Sequence, residues 1–221
     1  VKSHSAAVED YAKAIYSLSA RGSGPVNNNA LAERLDVTPG SASAMVKRLT
    51  ELGLVSHVAY RGTQLTAEGE RVALEVIRHH RLLELFLAES LSVPWDRVHE
   101  EAEVLEHVLS EELEELIATK LGDPARDPHG DPIPTRELVI DEGETHALQA
   151  LEAGARGVFV RVSDSDPEML AYLAAREIRL GMDVEVLEKQ PFGGPVSVRL
   201  GDRVHTLGGG LAAAMRVEVG R

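Results

Sequence analysis

The architecture turns on residues 29–49, Asn29-Ala30-Leu31-Ala32-Glu33-Arg34-Leu35-Asp36-Val37-Thr38-Pro39-Gly40-Ser41-Ala42-Ser43-Ala44-Met45-Val46-Lys47-Arg48-Leu49. A short helix runs to Leu35, and Asp36-Val37-Thr38 makes a tight turn. Thr38 is suited to cap a second helix, with Pro39 at its first helical position. Ala42, Met45, Val46, Leu49 and Leu52 recur at helical spacing as a buried stripe, and Gly53 ends the helix. Leu54–Tyr60 and Thr63–Leu65 follow as two short strands around Arg61-Gly62. Helix, turn, helix and ribbon together make a winged helix-turn-helix, whose second helix enters the DNA major groove by its N-terminal end. Its outward residues are Ser41, Ser43, Ala44, Lys47 and Arg48. Small hydroxyls at the front allow close approach to base edges, while Lys47, Arg48 and the ribbon-tip Arg61 are placed for phosphates. The candidate DNA contacts are Thr38, Pro39, Ser41, Ser43, Lys47, Arg48 and Arg61. The competing reading, a helical hairpin with merely solvated basic residues, leaves the ribbon unexplained.

Upstream, Val8, Tyr11, Ala12, Ile15 and Leu18 mark an amphipathic helix that Arg21-Gly22-Ser23-Gly24-Pro25 breaks. Downstream, Thr66 starts a long helix to about Leu91. Pro94-Trp95-Asp96 interrupts, and a second long helix is expected to run to about Lys120. Both are leucine-rich, as a bundle or dimer interface requires. The stretch from Asp123-Pro124 to Asp131-Pro132-Ile133-Pro134 holds four prolines and Gly130, so it is a linker or a packed loop. Beyond about Val139 come short β-type runs: Val158–Val162, Val184–Leu187, Val196–Leu200, Val204–Leu207 and Arg216–Val219. The fold expected is therefore mainly α with β. A winged helix occupies residues 1–65, a helical region suited to a bundle or dimer interface 66–135, and a small SH3-like β-barrel 136–221.

The 221 residues are 43% hydrophobic and 27% charged, which suits a globular chain and not a disordered one. No apolar run is long enough for a transmembrane helix, and Val1-Lys2-Ser3-His4 has no signal-peptide character. A cytoplasmic protein with no membrane partner is the expectation. The absence of cysteine excludes disulfides, thiolate metal sites and thiol catalysis. The net charge of −13 is uneven: +2 over residues 1–64, −11 over 65–135 and −4 over 136–221. A basic face at the front can meet a phosphate backbone despite the acidic middle, because charges are screened within about 8 Å at physiological salt.

That acidic middle holds a second constellation. His99, Glu103, Glu106 and His107 form one helical stripe. His80 and Glu84 stand one turn apart on the preceding long helix, and Asp10 lies on the first helix. Carboxylates and imidazoles at one-turn spacing suit a divalent cation. Oxygen and imidazole donors without thiolate favour Mn(II) or Fe(II) over Zn(II) or Co(II). Glu100, Glu101, Glu111, Glu112, Glu114 and Glu115 are read as a solvated acidic face. His4, His57, His79, His129, His146 and His205 have no partner at ligand spacing and are read as structural or exposed.

Four stretches, in order, resemble the diphtheria-toxin-repressor family of metal-dependent transcription regulators. They are Glu9-Asp10-Tyr11 with Ile15-Tyr16; Leu31–Leu35 leading into Thr38–Ser41; His80–Glu84 with Val98–Glu103 and Glu106-His107; and Asp127–Pro134. The resemblance implies a homodimer that binds palindromic operators of metal-uptake genes when loaded with metal. It implies a primary metal site on Asp10, Glu103, Glu106 and His107. An ancillary site falls on His80, Glu84 and His99, completed by Asp166 of the SH3-like domain, with Glu168 as the alternative. Asp10 and Glu103 stand where iron-responsive members have Met and Cys, which points to the manganese branch, an iron or dual sensor being the alternative. Two-domain manganese regulators with paired ions have Glu where this chain has Lys13, so a pair of that kind is not expected. A carboxylate metalloenzyme would need two Glu-x-x-His motifs, which are absent. No small organic substrate and no catalytic residue are expected.

Overall fold

The computed structural model describes residues 4–22, 24–58 and 61–220. The chain forms two compact units. The first comprises residues 1–80, 104–114 and 134–139, and the second residues 81–103, 115–133 and 140–221.

In the first unit, α1 (Ala6–Gly22), α2 (Asn28–Arg34) and α3 (Pro39–Glu51) precede a ribbon of β1 (Val55–Val58) and β2 (Gly62–Leu65). Their apolar stripes meet in one core. Val8, Tyr11, Ala12 and Ile15 of α1 pack with Leu31, Ala42, Val46, Leu49 and Leu54, and with Val72 and Ala73 from the start of α4 (Ala67–Leu91). The ribbon is antiparallel, pairing Val55 with Leu65 and Val58 with Gly62. Val26 bridges to Thr63 beneath it. Gly62 has φ +121°, and a Cβ there would lie 2.2 Å from the Val26 carbonyl oxygen, so only glycine fits this crossing. Ala59 and Tyr60, expected as the end of the first strand, lie outside the described residues.

α4 begins in the first unit and continues into the second beyond His80. The single long helix expected to reach Lys120 is instead two: α5 (Val98–Leu105) and α6 (Glu111–Leu121). Glu106, His107 and Val108 form the turn between them. Ser110 restarts the helix, its hydroxyl accepting from the Leu113 amide at 3.2 Å.

The second unit carries an antiparallel six-stranded sheet in the order β3-β8-β4-β5-β6-β7. Its strands are β3 (His146–Ala147), β4 (Arg156–Val162), β5 (Asp183–Lys189), β6 (Val196–Leu200), β7 (Arg203–Leu207) and β8 (Met215–Val219). Alternate residues such as Val184, Val186, Val196, Val198 and Leu200 turn inward onto Phe159, Leu170, Leu173 and Met215. Two short helices, α7 (Pro167–Ala175) and α8 (Gly209–Ala214), were not evident from the strand pattern and cover this core.

The proline-rich stretch is a packed loop. Asp127 accepts from the amides of His129 and Asp131, each at 2.9 Å, and so folds the loop on itself. The Val162 amide donates to the His129 carbonyl at 2.9 Å, fixing the loop to β4. Gly130, at φ +86°, passes so close to β4 that a Cβ would meet the Val160 carbonyl at 2.0 Å.

Candidate metal centres and DNA face

α1 places Asp10 opposite the turn between α5 and α6. His107 Nε2 lies 2.9 Å from Asp10 Oδ1 and 3.5 Å from Glu106 Oε1. One donor atom from each of these three residues falls within 4.8 Å of the others. The break between the helices explains the geometry, since a continuous helix would point the adjacent Glu106 and His107 about 100° apart, whereas the turn lets both face Asp10. Glu106 is fully buried, and a buried carboxylate demands cationic or hydrogen-bonded partners. It has the Lys13 ammonium at 2.8 Å and His80 Nδ1 at 2.5 Å.

Glu9 is a member of this centre that spacing arguments missed. Its carboxylate lies 2.7 Å from His107 Nδ1, the ring nitrogen opposite the one facing Asp10. That contact orients the imidazole. Its position beside Asp10 on α1 was the available signal. Glu103, the fourth expected member, stands one turn before Glu106 at the end of α5, is exposed, and lies 3.7 Å from His99 Nε2.

In the second unit, His99 Nδ1 lies 3.2 Å from Glu84 Oε1 and 3.4 Å from Asp164 Oδ2. His80 precedes Glu84 by one turn of α4. Asp166, expected to complete this group, does not face it. Its side chain caps α7, accepting from the Glu168 and Met169 amides at 3.0 and 3.3 Å. Asp166-Pro167 is itself a helix-start signature, which assigns Asp166 to capping and leaves Asp164 for His99. Glu168 sits exposed on the first turn of α7.

Behind Glu84 lies a buried ionic cluster. His129 is fully buried, stacks on Trp95 with ring centroids 6.0 Å apart, and has Nε2 2.7 Å from the Trp95 carbonyl oxygen. Its Nδ1 is 3.6 Å from Glu84 Oε2. Burial opposes its charge, but Glu84, Asp127 and the Trp95 carbonyl together push its pKa up to about 9. Burial, reinforced by the charges of Asp131 and Glu84, drives the Asp127 carboxyl well above the usual carboxylate range. Arg81 faces Asp127 and Asp131 at 3.8 and 3.4 Å, and Arg161 reaches Asp131 at 2.5 Å.

Glu114 departs from the expected solvated face. It is largely buried and pairs with Arg78 at 2.5 Å and His79 at 3.0 Å. Glu100, Glu101, Glu111, Glu112 and Glu115 are exposed.

On α3, Ser41, Ser43, Ala44, Lys47 and Arg48 are exposed, while Ala42, Val46 and Leu49 are buried. Thr38 Oγ1 accepts from the Ser41 amide at 3.1 Å, and Ser43 donates to the Pro39 carbonyl at 2.9 Å. Asn28 donates from α2 to Ser43 Oγ at 2.9 Å, a positioning contact that the sequence did not suggest. Thr38, Pro39 and Arg61 are exposed.

Three family models match in order along the chain. The N-terminal DNA-binding domain of iron-dependent repressors covers residues 4–63, and their metal-binding and dimerisation domain covers 66–135. A FeoA domain covers 146–219. The diphtheria toxin repressor of Corynebacterium efficiens is 30% identical over 226 residues, spanning 95% of this chain and 94% of the relative. The iron-dependent repressor IdeR of Mycobacterium tuberculosis is 33% identical over 222 residues, spanning 95% and 96%. Among solved structures, a manganese-dependent transcriptional repressor in complex with manganese superposes with a TM-score of 0.90 at 40% identity, over 96% of this chain and 99% of that one. The manganese regulator SloR gives 0.80 at 31% identity, over 96% and 98%. Matched over nearly its whole length, the chain belongs to the iron-dependent, or diphtheria toxin, repressor family of metal-dependent transcriptional regulators.

Proposed function

We propose that this chain is a manganese-dependent repressor that binds palindromic operators of metal-uptake genes as a homodimer in the cytoplasm. The observation that carries the reading is the Asp10, Glu106 and His107 cluster, which sets a residue of the DNA-reading part against the turn between α5 and α6. Two carboxylates and an imidazole, without sulfur, suit Mn(II). Glu103, one turn back along α5, is the fourth donor. A bound divalent ion would neutralise these carboxylates and tie α1 to that turn.

Without such a counter-charge, the carboxylates of Asp10 and Glu106 repel, and α1 meets the turn through the Glu9–His107 and Lys13–Glu106 contacts. A few kcal/mol of preference for the ordered arrangement is enough to move a two-state equilibrium most of the way. Glu84, His99 and Asp164, with His80 one turn back along α4, form an ancillary site. Asp164 takes the role expected of Asp166.

Residues 1–65 read DNA, 66–135 dimerise and hold metal, and 136–221 lend Asp164. Thr38, Pro39, Ser41 and Ser43 face base edges, and Lys47, Arg48 and Arg61 face phosphates. No catalytic residue or organic substrate belongs to this reading. Relatives named as iron-dependent support the same architecture answering to Fe(II).

The test is anaerobic retention of genomic DNA fragments by the purified chain with Mn(II), Fe(II) or a chelator. A few discrete fragments retained with Mn(II), fewer with Fe(II) and none with chelator is the expected result. Equal retention with Fe(II) makes it a dual or iron sensor, and retention indifferent to metal refutes the reading.

A further inference from the structure

The two oxygens of Glu84 face two different groups. Oε1 lies 3.2 Å from His99 Nδ1, in the ancillary site proposed above, while Oε2 lies 3.6 Å from His129 Nδ1 in the packed proline-rich loop. Glu84 and His129 are fully buried, and Asp127 nearly so. One donor atom from each of Glu84, Asp127 and His129 falls within 4.8 Å of the others. Asp127 is fixed by the His129 and Asp131 amides, which donate to its Oδ1, and its Oδ2 lies 3.8 Å from Arg81 Nε.

The His129 ring is oriented as a ligand. Its Nε2 stands 2.7 Å from the Trp95 carbonyl oxygen, which only accepts, so Nε2 carries a hydrogen and Nδ1 is the nitrogen turned to Glu84. A metal-ligating histidine characteristically donates its other ring N–H to such a partner. Stacking on Trp95 holds the ring plane. The buried Nδ1 has no hydrogen-bond partner. A proton shared with the carboxylate would draw the two atoms to about 2.7–2.9 Å. Two donors on one tetrahedral ion, with bonds of about 2.0–2.2 Å, stand about 3.4 Å apart. The observed 3.6 Å is too wide for the first and close to the second. We propose that Glu84 Oε2, Asp127 and His129 Nδ1 form a third cation site, for a divalent ion of the zinc class, that pins the proline-rich loop to α4. The site shares Glu84 with the ancillary site but does not require that site to be filled. Three protein donors leave one position of a four-coordinate ion for water.

The test titrates Co(II), a spectroscopic stand-in for Zn(II), into the full-length chain, counting the ions bound and following visible absorption. Four-coordinate Co(II) absorbs far more strongly there than six-coordinate Co(II). Wild type is expected to show the intense band. His129→Phe, which keeps a ring against Trp95, should bind one ion fewer and lose that band. No intense band in wild type, or an unchanged count in folded His129→Phe, overturns the proposal. If circular dichroism shows that His129→Phe does not fold, Asp127→Asn is read in the same way, since its amide oxygen still accepts from the loop. His99→Ala separates this site from the ancillary one. It should lose an ion of its own and keep the band. Loss of the band in His99→Ala assigns the signal to the ancillary site and overturns the proposal. A His99→Ala chain that loses no ion, beside a His129→Phe chain that does, removes the ancillary site and leaves the third site standing.

Discussion

Glu114 shows how one side chain's surroundings set its contribution. Burial pushes its carboxyl up, but the His79 and Arg78 partners outweigh that and hold it below the usual value. A carboxyl lowered in the folded state adds stability that is complete above its unfolded pKa, about 4.3, and is lost as pH falls through the lowered value. Glu114→Gln is therefore expected to cost about 2 kcal/mol at neutral pH, because Arg78 and His79 lose a charged acceptor. The cost should shrink as acid protonates wild-type Glu114. Urea denaturation at pH 7 and at pH 3, well below the unfolded value of about 4.3, checks both, and a cost independent of pH would mean that the carboxylate's charge plays no part.

At the scale of elements, the winged helix was legible because each local signal agreed. Thr38-Pro39 marks a start, the stripe Ala42 to Leu49 marks a face, and the structure buries Ala42, Val46 and Leu49 on it. The break at Glu106–Ser110 was not legible. The segment has helical spacing throughout and neither proline nor glycine, and what interrupts it is Ser110 capping together with the pull of Glu106 toward Lys13 and His80. Asp164 was missed for a related reason: two aspartates lie two residues apart, and only the capping role of Asp166 separates them. The clustering of Asp10, Glu106 and His107, the proposed metal donors, was legible in its residue types, since carboxylate and imidazole at one-turn spacing survive small errors in helix boundaries. His129 was not, because its partner Glu84 lies 45 positions earlier and only the folded loop brings them together. The α5–α6 turn also leaves Val104 and Val108 exposed, at 72% and 76%. In the region matched by the dimerisation model, these are expected to be covered by a second copy. Val108→Asp should yield a monomer in sedimentation at micromolar concentration with its circular dichroism unchanged. A variant that stayed dimeric would place the interface elsewhere.

At the scale of the whole molecule, charge is apportioned by task. Residues 1–64 carry +2 and meet a polyanion, while residues 65–135 carry −11 and include most of the proposed metal donors. The acidic part is best placed to gain from a divalent ion, and the basic part is free to bind phosphates. What joins them in this account is one small cluster, Asp10 against Glu106 and His107. The most direct test titrates Mn(II) into wild type and His107→Ala while DNA binding is followed by fluorescence anisotropy on a retained fragment. Wild type should gain affinity at least a hundredfold on Mn(II) addition, and His107→Ala should remain at the metal-free level while staying dimeric. A His107→Ala chain that responds to Mn(II) as wild type does would contradict the account.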